Sequence, residues 1–170
     1  MEVRRARPGD AAALADIVGA GLESYRAFAP SGWEPEAVTG TVGRVGALLT
    51  ADHPYRGWVA PADRTPLGFA GYLPASEAGD NADDEPGLAH LRHLFVVPGA
   101  WGTPVATVLH TAVLDDARGR GFATMRLFCA AGQLRARRFY EREGWTFTGR
   151  QIDETPLGLA VVEYRRPLRP

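Results

Sequence analysis

Cysteine is almost absent from the sequence, because Cys129 is the only one among 170 residues. A single thiol excludes an internal disulfide framework and a zinc site built from several thiolates. We expect Cys129 to be a small buried residue on its strand.

A strong charge of one sign is missing as well, since the net charge is −1 at pH 7. A net charge so close to zero argues against a generic nucleic-acid-binding surface, although the arginines are locally clustered.

A long uninterrupted apolar run is also missing. The N-terminal segment begins with positive charge, but its apolar stretch, Ala11 to Ala15, is too short for a signal peptide. Residues 94–114 contain no Asp, Glu, Lys or Arg and so have the composition of a membrane span. Turn-forming and polar residues break that segment, namely Pro98, Gly99, Gly102, Pro104 and His110. We therefore predict a buried strand followed by a buried helix, no contact with a membrane, and a cytoplasmic location.

The sequence does contain alternating strand-like and helix-like segments. Apolar spacing predicts helices at Ala11–Leu22, at Glu36–Leu49, from Val105 to a stop at Gly119–Gly121, and between Gln133 and Gly144. Predicted strands are Glu2–Arg5, Arg56–Ala60, Leu67–Leu73, His90–Val97, Ala123–Cys129, Trp145–Arg150 and Ala160–Arg165. Asp10 is the predicted cap of the first helix, and the acidic segment Ala75–Gly87 is a predicted loop. The pattern indicates an α/β fold with a mixed sheet, in a single domain of residues 1–170.

The segment VVPGAWGTPVATVL, Val96 to Leu109, has the form of a loop that holds phosphate at the start of a helix, and we call it the cradle. Thr103 is a good N-cap, and Pro104 suits the first helical position, where its missing N–H would lack an intrahelical partner. The amides left to bind an anion are those of Gly102, Thr103, Val105 and Ala106. If the missing amide would have touched phosphate, its loss costs about 1.5–3 kcal/mol. A capped helix after a core strand explains the same pattern, which is neither a Walker loop nor a GxGxxG fingerprint.

A second segment, GQLRARRFYEREGW from Gly132 to Trp145, follows the cradle after one strand. The two segments together resemble the GNAT superfamily of acyl-CoA N-acyltransferases. LFVVP followed by WGTPVA corresponds to the family's cradle, and QLRARRFYEREGW to its later Asn-x-x-Ala-x-x-Phe-Tyr segment. The opening VRRARPGDAAALADI and the closing VVEYRRPL are also of the family's type, so the resemblance spans essentially the whole chain. Three residues depart from the pattern: Trp101 replaces Gln or Arg, Pro104 replaces the middle glycine, and Gln133 replaces asparagine.

The resemblance implies a GNAT fold, which is a central, mixed and mostly antiparallel sheet flanked by helices. It also implies acetyl-CoA as co-substrate, with no metal. In the family, cradle amides hold the pyrophosphate of CoA, the preceding strand pairs with the pantetheine arm, and the asparagine position reaches that arm. The cofactor-binding residues implied here are Phe95, Val96, Val97, Gly102, Thr103, Val105, Ala106, Thr107 and Gln133. Arg135, Arg137 and Arg138 are candidates for the CoA 3′-phosphate, with a charged helix face as the alternative.

Attack of an amine on a thioester requires a neutral amine, stabilisation of the oxyanion and a proton for the departing thiolate. The resemblance points to the Val96 N–H for the oxyanion and to Tyr140 as the catalytic proton donor, since a phenol with a pKa of ~10 is protonated at neutral pH. His90 lies where many family members carry a glutamate and is the implied catalytic base. Purely structural roles stay open for both side chains. Alternative bases are Glu23, Glu77, Asp84 and Glu85.

Strict strand alternation would separate the two histidines of His90–Val97. One face would carry His90, Arg92, Leu94 and Val96, and the other Leu91, His93, Phe95 and Val97. Only one histidine would then face the active site. Residues on opposite faces cannot easily share a metal ion, so we expect no zinc.

The sequence thus predicts an N-acetyltransferase that moves an acetyl group from acetyl-CoA directly to an amine of a small molecule or peptide. Direct attack is favoured because no cysteine or serine stands out as an acyl-carrying nucleophile. Tyr25, Phe28 and Trp33 lie where the family shapes its acceptor pocket, and they could equally be core residues. One alternative is a catalytically weak GNAT-fold module that binds acyl-CoA. Another, a nucleic-acid-binding domain, rests only on the arginine clusters. The assembly state is left open, a homodimer included.

Overall fold

The computed structural model describes residues 1–169, apart from the side chain of Val38. Its strands are β1 (Arg4–Arg5), β2 (Arg56–Ala60), β3 (Gly68–Pro74), β4 (Leu88–Val96), β5 (Thr124–Ala130), β6 (Thr146–Glu154) and β7 (Leu159–Pro167). Its α-helices are α1 (Ala11–Glu23), α2 (Val38–Leu48), α3 (Val105–Gly119) and α4 (Leu134–Arg142). Within residues 1–169, no helix combines the length and the apolarity that crossing a membrane requires.

The strands form one sheet in the order β1-β2-β3-β4-β5-β7-β6. Neighbouring strands are antiparallel except for β4 and β5, which run parallel. A parallel pair needs a crossover connection, and α3 provides it. This arrangement confirms the predicted α/β fold with a mixed, mostly antiparallel sheet flanked by helices. Each predicted strand and helix is present, with ends shifted by a few residues.

Hydrophobic clusters on the two faces of the sheet fix the positions of the helices. On one face α3 contributes Leu109, Val113 and Ala117, which are fully buried and recur at the spacing of a helical turn. On the other face α1 contributes Leu14 and Ile17, which are also buried. Truncating a buried leucine to alanine costs about 2–5 kcal/mol. These contacts therefore hold the N-terminus of α3 at a fixed place beside the end of β4.

A β-bulge in β4 shifts its side-chain alternation. Gly71 of β3 pairs with His93, but the next residue, Tyr72, pairs with Leu91, which leaves Arg92 without a partner. An extra residue moves every side chain beyond it to the opposite face. His90 consequently shares a face with His93 and Phe95, so the strict alternation predicted from the sequence is wrong.

The start of α1 differs from the prediction. The Asp10 side chain makes no capping bond to α1. Its carboxylate accepts two hydrogen bonds from the Arg4 guanidinium, at 2.7 and 2.8 Å, and one from the Arg7 N–H at 2.8 Å. Asp10 therefore ties β1 to the turn that precedes the helix.

Candidate active site

A cleft lies where β4 and β5 diverge. The two strands pair only at Leu88–Thr124, Ala89–Met125 and His90–Arg126, although β4 continues to Val96 and β5 to Ala130. The cleft has a volume of about 440 Å³. Its walls come from the end of α1 and the turn after it, from Leu94–Val96, from the cradle and from α4.

The main chain of β4 turns polar groups toward this cleft. The Val97 N–H donates to the Leu67 carbonyl at 2.9 Å, on the β3 side. Successive residues of a strand direct their N–H and C=O groups to opposite sides, so those of Val96 point toward the cleft. The indole Nε1 of Trp101 donates to the Val96 carbonyl at 2.8 Å. Phe95 and Val96 line the cleft, whereas Val97 does not, and the Val97 amide is used within the sheet.

The cradle forms a tight turn and then the first turn of α3. Gly102 has a φ of +78°, a left-handed conformation that favours glycine. The Thr103 N–H donates to the Ala100 carbonyl at 3.3 Å, and the Pro104 carbonyl accepts from Val108 N–H at 3.0 Å. Pro104 is therefore the N-cap of α3, which begins at Val105, one residue later than predicted. The prediction of Thr103 as N-cap is wrong, since Thr103 lies one residue before the cap and its hydroxyl is 3.5 Å from the Val105 amide nitrogen. Its own amide, predicted to be free for an anion, is used by the Ala100 carbonyl.

Several cradle amides remain available to a ligand. Those of Gly102, Ala106 and Thr107 donate to no described backbone or side-chain acceptor, and these residues line the cleft. Thr103 also lines the cleft, whereas the Val105 side chain is buried in the core. Free amides at a helix N-terminus, together with the helix dipole, favour an anion. The geometry thus leaves the cradle able to hold phosphate even though Pro104 contributes no donor.

Arginines of α4 add positive charge to the same cleft. Arg135 and Arg138 line it as predicted, together with Arg142. Arg137 does not, because its guanidinium donates to the Tyr164 hydroxyl and to the Ala131 carbonyl, both at 3.0 Å. The lining residues include no Asp or Glu among the described part of the chain. The electrostatics of the cleft therefore suit a ligand with several phosphates.

Arg135 also contacts Trp101, one of the three residues that depart from the family pattern. Its guanidinium carbon lies 3.2 Å from the centroid of the Trp101 ring. Trp101 is thus held between a cation and the Val96 carbonyl. A ligand that pairs with the main chain of β4 must displace this indole N–H.

Gln133 and three aromatic residues lie at the α1 side of the site. The Gln133 amide nitrogen is 3.5 Å from the Ser24 hydroxyl, and both residues line the cleft with Tyr25. The Tyr25 ring packs on Phe28 and Trp33, with centroids 5.2 and 6.3 Å away. These aromatics form one cluster beside the cleft, of which only Tyr25 lines it.

Tyr140 lines the cleft from α4. Its ring packs against Phe139, Trp145 and Tyr164, with centroid distances of 5.5 to 6.3 Å. Burial, with smaller effects of Cys129 and Tyr25, raises the pKa of this phenol well above its ordinary value. The hydroxyl has no hydrogen-bond partner among the described side chains, and it is not closed off from solvent. A protonated, unengaged phenol is therefore available in the cleft.

His90 does not line the cleft, contrary to the prediction of a catalytic base. It is 6% exposed, and its Nδ1 accepts from Arg126 Nε at 3.3 Å. Burial, followed by the charges of Arg126 and Arg92, lowers the pKa of His90 to about 3. Arg126 in turn binds the Asn81 carbonyl and Asp83. The bulge thus places His90 against Arg126 rather than at the cleft.

The alternative bases predicted from the sequence also lie outside the cleft. Glu23 forms an ion pair with Arg26 at 2.6 Å, and Glu85 forms one with Arg165 at 2.7 Å. Glu77 and Asp84 are exposed and absent from the lining.

Sequence reasoning missed Glu154, at the end of β6. Burial raises the pKa of this carboxyl above its ordinary value, against an opposing effect of Arg92. Glu154 is also close enough to affect Tyr25, whose pKa is raised by burial first and then by Cys129 and Glu154. The Trp33 indole donates to the Leu157 carbonyl at 2.8 Å and so ties the β6–β7 turn to the segment after α1. No motif marks Glu154, which, like His90 and the other acids, does not itself line the cleft.

The two histidines of β4 do share a face, so that part of the reasoning about zinc was mistaken. His93 contacts Tyr55, with its Nδ1 3.0 Å from the phenol oxygen. Within the described residues, no group of three His, Cys, Asp or Glu side chains is placed to hold a metal ion.

Comparisons with known proteins agree with this geometry. The model of the acetyltransferase (GNAT) family matches residues 22–145. A GNAT-family protein from Desulfovibrio desulfuricans is 21% identical, with a TM-score of 0.75 and 99% of each chain covered. A GCN5-related N-acetyltransferase from Kribbella flavida is 23% identical, with a TM-score of 0.69 over 98% of this chain and 96% of that one. YncA from Salmonella typhimurium, solved with its cofactor acetyl-CoA, is 17% identical, with a TM-score of 0.72 over 100% of this chain and 95% of that one. No curated protein matches the sequence.

At these identities the structural likeness establishes the fold. The family match goes further, because it covers more than two thirds of the chain and includes β4, the cradle and α4. The chain belongs to the acetyltransferase (GNAT) family.

Proposed function

We propose that this protein is an N-acetyltransferase that transfers the acetyl group of acetyl-CoA directly to an amine of a small molecule or peptide. One observation carries the proposal. The cleft beside β4 combines free cradle amides, three arginines and the hydroxyl of Tyr140.

The residues of the cleft fit acetyl-CoA. The amides of Gly102, Ala106 and Thr107 suit the pyrophosphate, and Arg135 and Arg138 suit the phosphates in general. The exposed polar edge of β4 at Val96 suits the amide-rich pantetheine arm. When bound, acetyl-CoA supplies the acetyl group as an activated thioester.

Deprotonation of the amine is assigned to Glu154. An alkyl amine has a pKa of ~10.4 and must lose a proton before it can attack. A carboxylate whose pKa is raised by burial is a better base at neutral pH than an exposed one. Glu154 does not itself line the cleft, so in this proposal a water molecule carries the proton between the amine and the carboxylate.

The Val96 N–H and Tyr140 complete the proton and charge movements. As the amine nitrogen bonds to the acyl carbon, negative charge develops on the carbonyl oxygen, and the Val96 N–H is directed to stabilise it. The C–S bond then breaks, and the Tyr140 hydroxyl gives its proton to the departing sulfur. The nitrogen loses a second proton to solvent as the amide forms. The proton first taken up by Glu154 passes through solvent to the Tyr140 phenolate, so the enzyme ends unchanged and one proton is released for each ammonium acetylated.

The test is an acetyl-CoA-dependent thiol-release assay with a panel of primary amines. We expect turnover with at least one amine, and we expect Tyr140→Phe to lower kcat by about 10²- to 10⁴-fold while acetyl-CoA binding persists. Tyr55→Phe is the matched control, because it removes a buried hydroxyl outside the cleft. Equal kcat for Tyr140→Phe and the unaltered protein would refute the assignment of the proton donor. Binding of acetyl-CoA with no turnover for any amine would favour the weak binding module instead.

A further inference from the structure

A second cavity lies at the far end of α3 from the cleft. Its volume is about 380 Å³, and it shares no lining residue with the cleft. Arg120, just after α3, lines this cavity, whereas Thr107, in the first turn of α3, lines the cleft. The 15 residues of α3 rise about 1.5 Å each. The two cavities are therefore separated by roughly 20 Å.

Three arginines from three separate segments line this second cavity. They are Arg5 of β1, Arg56 of β2 and Arg120. Strand pairing brings the first two together, since Arg5 pairs with Trp58, two residues beyond Arg56 on the same face of β2. The Arg5 guanidinium lies 4.4 Å from the Trp58 ring centroid, and that of Arg56 lies 6.0 Å from it.

The positive charge of the second cavity is only partly compensated. Arg56 forms a bidentate pair with Asp116, at 2.7 and 3.0 Å, and Asp116 also accepts from the Tyr72 hydroxyl at 2.6 Å. The guanidinium groups of Arg5 and Arg120 donate to no acceptor within residues 1–169. No Asp or Glu is among the described residues that line the cavity. Burial, followed by the charge of Arg56, lowers the pKa of Arg5, and Arg120 acts in the same direction.

The arrangement favours a phosphate group over a carboxylate. A planar carboxylate presents two oxygens, which one bidentate guanidinium satisfies. A phosphate ester presents three non-bridging oxygens in different directions, which suits guanidinium groups that come from three segments. The remaining walls include Leu48, Leu49 and Pro54, which can contact the organic part of an ester.

We propose that Arg5, Arg56 and Arg120 form a binding site for the phosphate group of a small phosphorylated molecule, separate from the cleft. Arg56 is held in place by Asp116, and Arg5 by the Trp58 ring. Arg5 and Arg120 supply unpaired donors. The site does not depend on acetyl transfer, so it stands or falls separately from the proposed function.

The experiment is calorimetric titration with inorganic pyrophosphate, glucose 6-phosphate and citrate at constant ionic strength. Because pyrophosphate can also enter the cleft, the titrations use an Arg135→Ala/Arg138→Ala background. We expect pyrophosphate and glucose 6-phosphate to bind with a 1:1 stoichiometry, and the further change Arg5→Ala/Arg120→Ala to weaken both at least tenfold. Arg7→Ala/Arg64→Ala is the matched control, because it removes two exposed arginines outside both cavities and should leave binding unchanged.

Three outcomes would overturn the proposal. The first is equal affinity for the phosphate compounds with and without Arg5 and Arg120. The second is an equal loss of affinity in the control variant Arg7→Ala/Arg64→Ala. The third is tighter binding of citrate than of either phosphate compound. Arg120→Glu is a second variant on an exposed residue outside the helices, and circular dichroism confirms that each variant is folded. If pyrophosphate binds and glucose 6-phosphate does not, the site accepts only free polyphosphate, and binding of a phosphate ester is refuted.

Discussion

Replacement of Pro104 by alanine tests whether the cradle holds pyrophosphate. Pro104 has φ −66° and ψ −4°, angles that alanine adopts without strain. The change restores one backbone N–H at the helix start, next to the free amides of Gly102, Ala106 and Thr107. The carbonyl of residue 104 can keep its bond to the Val108 N–H.

The expected gain follows from one added hydrogen bond to a charged group. Such a bond contributes about 1.5–3 kcal/mol. At about 1.4 kcal/mol per factor of ten, acetyl-CoA should bind roughly ten- to a hundredfold more tightly. Proline restricts the unfolded chain, so the variant should also lose about 0.4–1 kcal/mol of stability. That loss applies to the free and the bound protein alike and does not oppose binding.

Calorimetric titration with acetyl-CoA measures the first quantity, and urea denaturation measures the second. Pro61→Ala is the control, because Pro61 is exposed in the β2–β3 hairpin, away from the cleft. An unchanged or weaker affinity in Pro104→Ala, with normal affinity in the control, would show that the amide at this position does not face phosphate. That result would refute the expected gain from a donor at position 104, whereas the cradle as a whole is tested by titration of the unaltered protein with acetyl-CoA.

Three further predictions concern other parts of the molecule. Trp101→Phe keeps an aromatic ring beside Arg135 but removes the donor to the Val96 carbonyl. We expect acetyl-CoA to bind up to about tenfold more tightly, because an indole hydrogen bond worth roughly 0.5–1.5 kcal/mol no longer competes with the ligand for the Val96 carbonyl. Calorimetry checks this affinity, and weaker binding would contradict the prediction. Glu154→Gln should lower kcat/KM and flatten the rising limb of its pH profile without changing acetyl-CoA binding, and an unaltered profile would exclude Glu154 as the base. Burial is the main cause that lowers the pKa of His90 and His93 to about 3 and of His110 to about 4. Because the unfolded chain takes up protons first, near pH 6.5, the free energy of unfolding should fall by about 1.4 kcal/mol per histidine for each pH unit from there toward pH 4. Urea denaturation at pH 7.0 and 5.5 measures this, and equal stability at the two values would contradict the burial of these rings.

The sheet could be predicted because its strands carry strong local signals. Arg56–Ala60 and the strand after PADRTP form the predicted hairpin, and the cradle leads into a helix that begins at Val105, one residue later than expected. The bulge at Arg92 was not predictable, since no glycine or proline of β4 marks it and the glycine at the register shift, Gly71, lies on the partner strand β3. It arises from pairing with β3, and it alone reverses the predicted faces of His90 and Leu94.

The candidate site was predictable where the backbone defines it. Gly102, Thr103, Ala106 and Thr107 follow from a strand, a turn and a helix start in sequence. Side chains whose positions depend on tertiary partners were not predictable. Arg137 is taken by Tyr164 and Ala131, partners 27 and 6 residues away in sequence. Glu154 lies at the end of β6, next to the turn that the Trp33 indole binds, and no local sequence signal distinguishes it.

The central claim is that the cleft beside β4 binds acetyl-CoA through the cradle and α4. Its most direct test is calorimetric titration of the unaltered protein and of Arg135→Ala/Arg138→Ala with acetyl-CoA. We predict 1:1 binding that weakens at least tenfold in the double variant and is unchanged in Arg7→Ala/Arg64→Ala. No binding by the unaltered protein, or equal affinity in the cleft variant, would contradict the account.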